Sequence, residues 1–156
     1  MLRDGYPVTM ATVSRKFNVS PPPRVVVDYL KDFANAEKWD PGTRSCERVG
    51  TGPVAEGSYW HNVSKLFGVT AEHTFKLEEL SDHKVVFIGE NKSSTAVDTI
   101  TVEADGAGSV ITYEAELEMY GAAKLLNPVM KRAFEKRAGD TEKQMTTVLN
   151  RLAESA

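Results

Sequence analysis

The stretch 127–156 restricts the fold more than any other part of this chain. From Asn127-Pro128 onward, Met130, Phe134, Ala138, Thr141, Met145, Val148 and Leu152 recur every three or four positions, the spacing of an apolar stripe on one long helix. The segments before it alternate apolar and polar with a period of two, as half-buried strands do. A lone helix cannot bury its stripe by itself, and a sheet with one wet face offers a concave surface that can cover it. The pair therefore predicts a curved sheet gripping a helix, with room for a cavity between them.

The strands are expected at about Ala11–Asn18, Arg44–Val49, Gly57–Lys65, Val69–Leu80, Lys84–Glu90, Ala96–Glu103 and Ser109–Met119. Turn material such as Gly50-Thr51-Gly52-Pro53, Leu66-Phe67-Gly68 and Ser81-Asp82 separates them, and such short connections make hairpins rather than helical crossovers. Ala71, His73, Phe75 and Leu77 share one face of their strand, and Ile111, Tyr113, Ala115, Leu117 and Met119 share one face of theirs. On Gly57–Lys65 the alternation leaves two inward sets open: Tyr59, His61 and Val63, or Trp60, Asn62 and Ser64. Between the first two strands, Ser20-Pro21-Pro22-Pro23 opens a helix through Val26, Val27, Leu30 and Phe33, because proline is tolerated where a first-turn N–H has no partner. Asn35 is expected to cap a second short turn carrying Trp39, which Asp40-Pro41-Gly42 ends.

Composition removes several function classes. A formal charge of −3 and a pI near 5.7 leave no basic surface for nucleic acid. The single cysteine, Cys46, cannot form an internal disulfide and fits a reducing compartment. Apolar runs such as Val85–Ile88 fall far short of the ~18 residues of a membrane span. Residues 1–9 have no apolar signal core and read as a flexible tail ahead of one domain over 10–156; a cytoplasmic location is expected.

Strand, two short helices, meander and long helix, in that order, resemble the helix-grip fold of the START-like (SRPBCC) superfamily. The local sequence Ser20-Pro21-Pro22-Pro23-Arg24-Val25-Val26-Val27-Asp28-Tyr29-Leu30-Lys31-Asp32-Phe33, followed by Glu37-Lys38-Trp39-Asp40-Pro41, resembles the opening of its bacterial polyketide cyclase/dehydrase and lipid-transport group. Gly57-Ser58-Tyr59 and Leu126-Asn127-Pro128-Val129-Met130 are similar to that group's strand and helix starts. The resemblance implies an α+β fold with a curved antiparallel sheet of about seven strands wrapped on the C-terminal helix. It also implies a cavity for lipids, polyketides, isoprenoids or aromatic molecules, with no cofactor, and it transfers no catalytic residue.

An apolar lining is expected from Phe75, Phe87, Ile100, Tyr113 and Leu117 on the sheet and Met130, Phe134 and Met145 on the helix. Trp39 and the Gly50–Val54 loop would guard the mouth. His73, Asp98 and Tyr113, with His61 if its side of the strand faces in, are the polar groups that would orient a guest. Hairpin arithmetic puts Leu77 opposite Phe87 and Phe87 opposite Asp98. His73 and Asp98 then lie roughly 16 Å apart, too far for an acid–base dyad. His61 and His73 come out opposite each other, but two histidines without a third ligand make no zinc site. Gly50-x-Gly52 precedes a strand rather than a helix, so it is not a phosphate loop.

Lys124, Lys131, Arg132, Lys136 and Arg137 give the long helix a basic, solvated face with at most weak contact to anionic headgroups. The expected function is non-covalent binding of a hydrophobic small molecule by a monomer or homodimer. The alternatives are a cyclase, aromatase or dehydratase in which His73 or Tyr113 moves protons, and a groove for a partner helix.

Overall fold

The computed structural model describes the backbone of residues 2–3, 6–66, 68–120 and 128–155, and the side chains of residues 10–65, 68–120 and 128–153. Phe67, Lys124 and the helix approach at Leu126-Asn127, all used in the sequence reading, lie outside the described residues. Eight strands form one antiparallel sheet: β1 (Leu2–Arg3), β2 (Tyr6–Val19), β3 (Thr43–Val49), β4 (Tyr59–Leu66), β5 (Val69–Ser81), β6 (Lys84–Glu90), β7 (Ser94–Asp105) and β8 (Gly108–Tyr120). Their order is β1-β2-β8-β7-β6-β5-β4-β3, so β2 closes on β8 and the rest is a simple meander. Helices α1 (Pro23–Leu30) and α2 (Ala36–Trp39) follow β2, with a single 3-10 turn at Phe33–Asn35 between them, and α3 (Pro128–Ser155) ends the chain. The helix-grip arrangement expected from the sequence is present. Within residues 1–9, expected as a tail, β1 covers Leu2–Arg3 and β2 begins at Tyr6, with Val8 opposite Tyr120.

α1 starts as its prolines require. Pro22 is the capping residue without a side-chain bond, and Val26, Val27 and Leu30 are buried. Asn35 sits at the start of α2, but its amide turns back to donate to the Tyr29 carbonyl and does not cap. The capping oxygen here is that of Asp32, which accepts from the Ala34 N–H and also from the Trp60 indole N–H at 3.0 Å. On α3 the stripe is seated through Ala138, Thr141, Met145 and Leu149, while Met130 and Phe134 stay half-buried near its start.

Most of the β5–β6–β7 register follows the hairpin arithmetic, with Leu77 opposite Phe87 and Phe87 opposite Asp98. The β4–β5 hairpin differs by one residue. It closes with Leu66 opposite Val69 and with Gly68 at φ +79°, which places Asn62, not His61, opposite His73. A one-residue slip flips every side chain on a strand. Trp60, Asn62 and Ser64 therefore face inward and are buried, whereas Tyr59 and His61 are exposed on the outer face.

Candidate functional site

On three strands the inward side chains shrink in one direction. β4 runs Trp60, Asn62, Ser64; β5 runs Leu77, Phe75, His73, Ala71; β7 runs Ile100, Asp98, Ala96, Ser94. β8 runs Ile111, Tyr113, Ala115 and then Leu117 and Met119, which stand opposite Ala96 and Ser94 and border the space those small residues leave. Large residues thus collect at one end of β4, β5 and β7 and small ones at the other. At the large end Phe33 anchors an aromatic cluster, with ring centres 4.3 Å from Phe87, 4.6 Å from Phe75 and 6.0 Å from Trp39. At the small end, beneath the first turns of α3, a cavity of about 150 Å³ remains. A space of that size holds one benzene-sized guest.

Of the side chains expected to line it, His73, Phe75, Asp98, Tyr113, Leu117, Met130 and Phe134 do so. Trp39, Phe87, Ile100 and Met145 do not: all four are fully buried in the core, and large inward residues close space instead of bounding it. Trp39 lies edge-on to Tyr113 with ring centres 6.2 Å apart, fully buried behind the cavity wall. The Gly50–Val54 loop is also absent from the lining. Tyr59 and His61 are on the wrong face of β4, and His61 instead meets Glu72 at 3.1 Å in solvent. The lining that sequence reasoning missed consists mainly of small or polar residues such as Ser64, Ala71, Ser94 and Ala96.

It also missed a part-buried ion pair. Arg137, assigned to the solvated helix face, turns into the cavity wall and grips Asp40 with two bonds, Nε to Oδ1 at 3.1 Å and Nη2 to Oδ2 at 2.6 Å. Asp40 ends α2, and its oxygens also accept from the Gly42 N–H and the Thr43 hydroxyl, each at 2.9 Å. The guanidinium packs so closely on Gly42 that a Cβ there would collide with it. Asn62 extends the chain of bonds by donating to Thr43 Oγ1. Burial alone would lower the Arg137 pKa, but the Asp40 carboxylate outweighs it and raises the value. Lys131, Arg132 and Lys136 are exposed, as expected of the basic face.

His73 and Asp98 occupy different parts of the cavity. His73 Nε2 lies 2.8 Å from Ser94 Oγ and 3.2 Å from Asn91 Nδ2, in a small polar cluster at the β6–β7 turn. Burial first and the Arg137 cation second lower its pKa, so the ring is neutral at pH 7. Asp98 is half-buried and also lines the cavity. It makes no hydrogen bond or ion pair among the described residues, and Arg15 pairs with Glu135. Burial and then the Asp40 carboxylate push the Asp98 pKa up to about 7, with Arg137 pulling the other way. Tyr113 is 6% exposed and is raised well above its ordinary value by burial, then by Asp98 and Asp40. Cys46 is buried, and desolvation pushes its thiol up to about 12, which leaves it inert.

A curved antiparallel sheet around one long helix, with a small apolar chamber holding a few polar groups, defines the helix-grip class of binding fold. A family model for polyketide cyclase/dehydrase and lipid transport matches residues 10–156, and the chain belongs to that family. No curated protein matches by sequence. Among solved structures, the Zhui aromatase/cyclase from Streptomyces sp. R1128 is similar with TM-score 0.75 at 11% identity, covering 92% of this chain and 95% of that one. The protein TTHA0849 from Thermus thermophilus is similar with TM-score 0.65 at 15% identity, covering 88% and 99%. The di-domain ARO/CYC StfQ of the steffimycin biosynthetic pathway is similar with TM-score 0.70 at 10% identity; 93% of this chain is covered and 52% of that one. At these identities the likeness concerns the fold. Among the described residues no helix is long and apolar enough to cross a membrane.

Proposed function

We propose that the chain binds a hydrophobic small molecule in the chamber between the sheet and α3. The observation that carries this reading is the cavity of about 150 Å³ beneath α3, bounded by small side chains where the rest of the concave face is filled. Its walls are mostly apolar, through Val13, Phe75, Leu117, Met130 and Phe134, and methionine adapts to guests of different shape. In this conformation it admits one aromatic ring or a short acyl tail. A longer lipid, polyketide or isoprenoid would extend past exposed Val69 at the rim. The family match over residues 10–156 supports treating that span as one ligand-binding domain.

An enzymatic reading has one observation in its favour: a carboxyl with a pKa of about 7 in a cleft is a common mark of proton-transfer sites. His73, first considered for that task, has its Nε2 engaged by Ser94 and Asn91. Binding is therefore the preferred reading. Native mass spectrometry of the purified protein tests it. A small molecule that co-purifies and is released on denaturation, or saturable uptake of added toluene, is expected. Absence of both a co-purifying molecule and toluene uptake would overturn the proposal.

A further inference from the structure

Asp98 and Tyr113 stand on adjacent strands, with Asp98 opposite Ala115 and Ile100 opposite Tyr113, so their side chains are diagonal neighbours on one face. Both line the cavity, and among the described residues neither has a hydrogen-bond or ion-pair partner. The other polar groups beside them are already committed. Arg137 holds Asp40 with both arms of its fork, and His73 is bonded to Ser94. Two unpartnered polar groups aimed into one small apolar space are costly to keep unless something completes them.

We infer that Asp98 and Tyr113 form the recognition end of the chamber for an uncharged oxygen-bearing group, a ketone, phenol or alcohol, on an aromatic or short acyl guest. This rests on the binding function proposed above. A protonated carboxyl and a phenol each donate and accept, so together they serve either a carbonyl or a hydroxyl oxygen. The charge balance selects against ions. With Asp98 neutral, Asp40 and Arg137 cancel, whereas a guest carboxylate would face two acids with the Arg137 guanidinium already taken. An ammonium guest would have to ionise Asp98 and bury both charges, which returns little. The groups facing Asp98 are Tyr113 from β8, Arg137 from α3 and Asp40 from the turn after α2, with His73 of β5 across the cavity. The raised pKa of Asp98, about 7, keeps it a donor in weakly acidic solution.

Toluene, phenol and benzaldehyde have similar shapes and separate the possibilities when their affinities are measured by NMR titration at pH 6 and pH 8.5. An apolar cavity would bind phenol at least about tenfold more weakly than toluene, because the hydroxyl loses its water. Here phenol and benzaldehyde are expected to bind at least as tightly as toluene at pH 6. At pH 8.5 benzaldehyde, which can only accept, weakens as Asp98 ionises, while phenol, which can donate to the carboxylate, does not. Asp98→Leu and Tyr113→Phe should each lower phenol affinity about tenfold relative to toluene. Toluene binding by these variants reports an intact chamber. If either variant fails to fold, the wild-type comparison decides alone. Wild-type protein that takes toluene but binds phenol and benzaldehyde tenfold more weakly overturns the inference and leaves the binding function standing. Benzylamine or benzoate outcompeting phenol also overturns it. No binding of any probe, toluene included, removes the binding function itself.

Discussion

The two ends of the concave face are built on the same strands with the same alternation, yet one end is solid and the other is hollow. At the solid end Phe33, Trp60, Phe87 and Ile100 are fully buried and the rings touch one another. At the hollow end the equivalent positions are Ser64, Ala71, Ala96 and Ala115. The hollow end carries polar bonds, Arg137 to Asp40 and His73 to Ser94, but what leaves it empty is the smaller side chains at these strand positions. A chamber is made by withholding atoms from a regular scaffold, and the first turns of α3 roof the space that results.

Truncation should cost more where packing is complete. Phe87→Ala opens a void in the aromatic cluster and is expected to lose about 4 kcal/mol of unfolding free energy. Leu117→Ala removes atoms that already border empty space, so the lost contacts are fewer and about 1–2 kcal/mol is expected. Urea unfolding of the two variants checks the contrast. Equal losses would mean that the two ends are packed alike.

The ion pair that closes the hollow end makes the next largest difference. Arg137→Met leaves the Asp40 carboxylate buried beside Gly42 and Thr43 with no cation, and about 3 kcal/mol should be lost. Adding Asp40→Asn should restore part of that loss, because the stranded charge goes with it. A single variant as stable as the parent would show that the pair is not holding α3 against the turn after α2.

Much of the solid end was legible in the sequence, and the hollow end was not, for a physical reason. Periodicity marks which side chains point inward, and it placed most strands, the β5–β6–β7 register and the α3 stripe close to where they fall. It carries no sign of whether an inward residue fills space or borders it. Phe87, Ile100 and Met145 match a lining pattern because they are large and apolar, which is the property that makes them core. The legible signal was the reverse one, small residues at inward positions on neighbouring strands. On β4 alternation leaves two inward sets open, and the register at the Gly68 turn, one residue from the expected one, goes with His61 and Tyr59 facing outward. Arg137 looked like its lysine neighbours, and only the Asp40-Pro41-Gly42 turn brought beneath it reveals the pair.

Asp98 offers a smaller effect that reports on the chamber directly. Its ordinary value is 3.8 and the folded value is about 7, so the folded state holds a proton that the unfolded chain has released between those limits. The contribution to stability is full below about pH 4 and is lost as pH rises through 7, falling by up to about 1.4 kcal/mol per pH unit. Asp98→Asn lacks this proton. Its stability relative to wild type should rise steadily between pH 4.5 and 7.5 in urea unfolding, and taking the difference cancels the titration of His73. A difference independent of pH would place Asp98 in an environment as wet as the surface.

The smallest change in stability should accompany the largest change in binding. Ala96→Leu adds three carbons to a position that borders the cavity, across the strand pair from Gly89 and Leu117. In a filled core such an insertion costs about 1–3 kcal/mol because neighbours must leave their rotamers. Here the added atoms have empty space to enter and apolar walls to meet, so stability should stay within about 1 kcal/mol of the parent while toluene uptake disappears. Ala115→Leu, on the next strand, should behave in the same way. The two substitutions turn the hollow end into a copy of the solid one, and a variant that kept both its fold and its guest would mean the guest sits elsewhere.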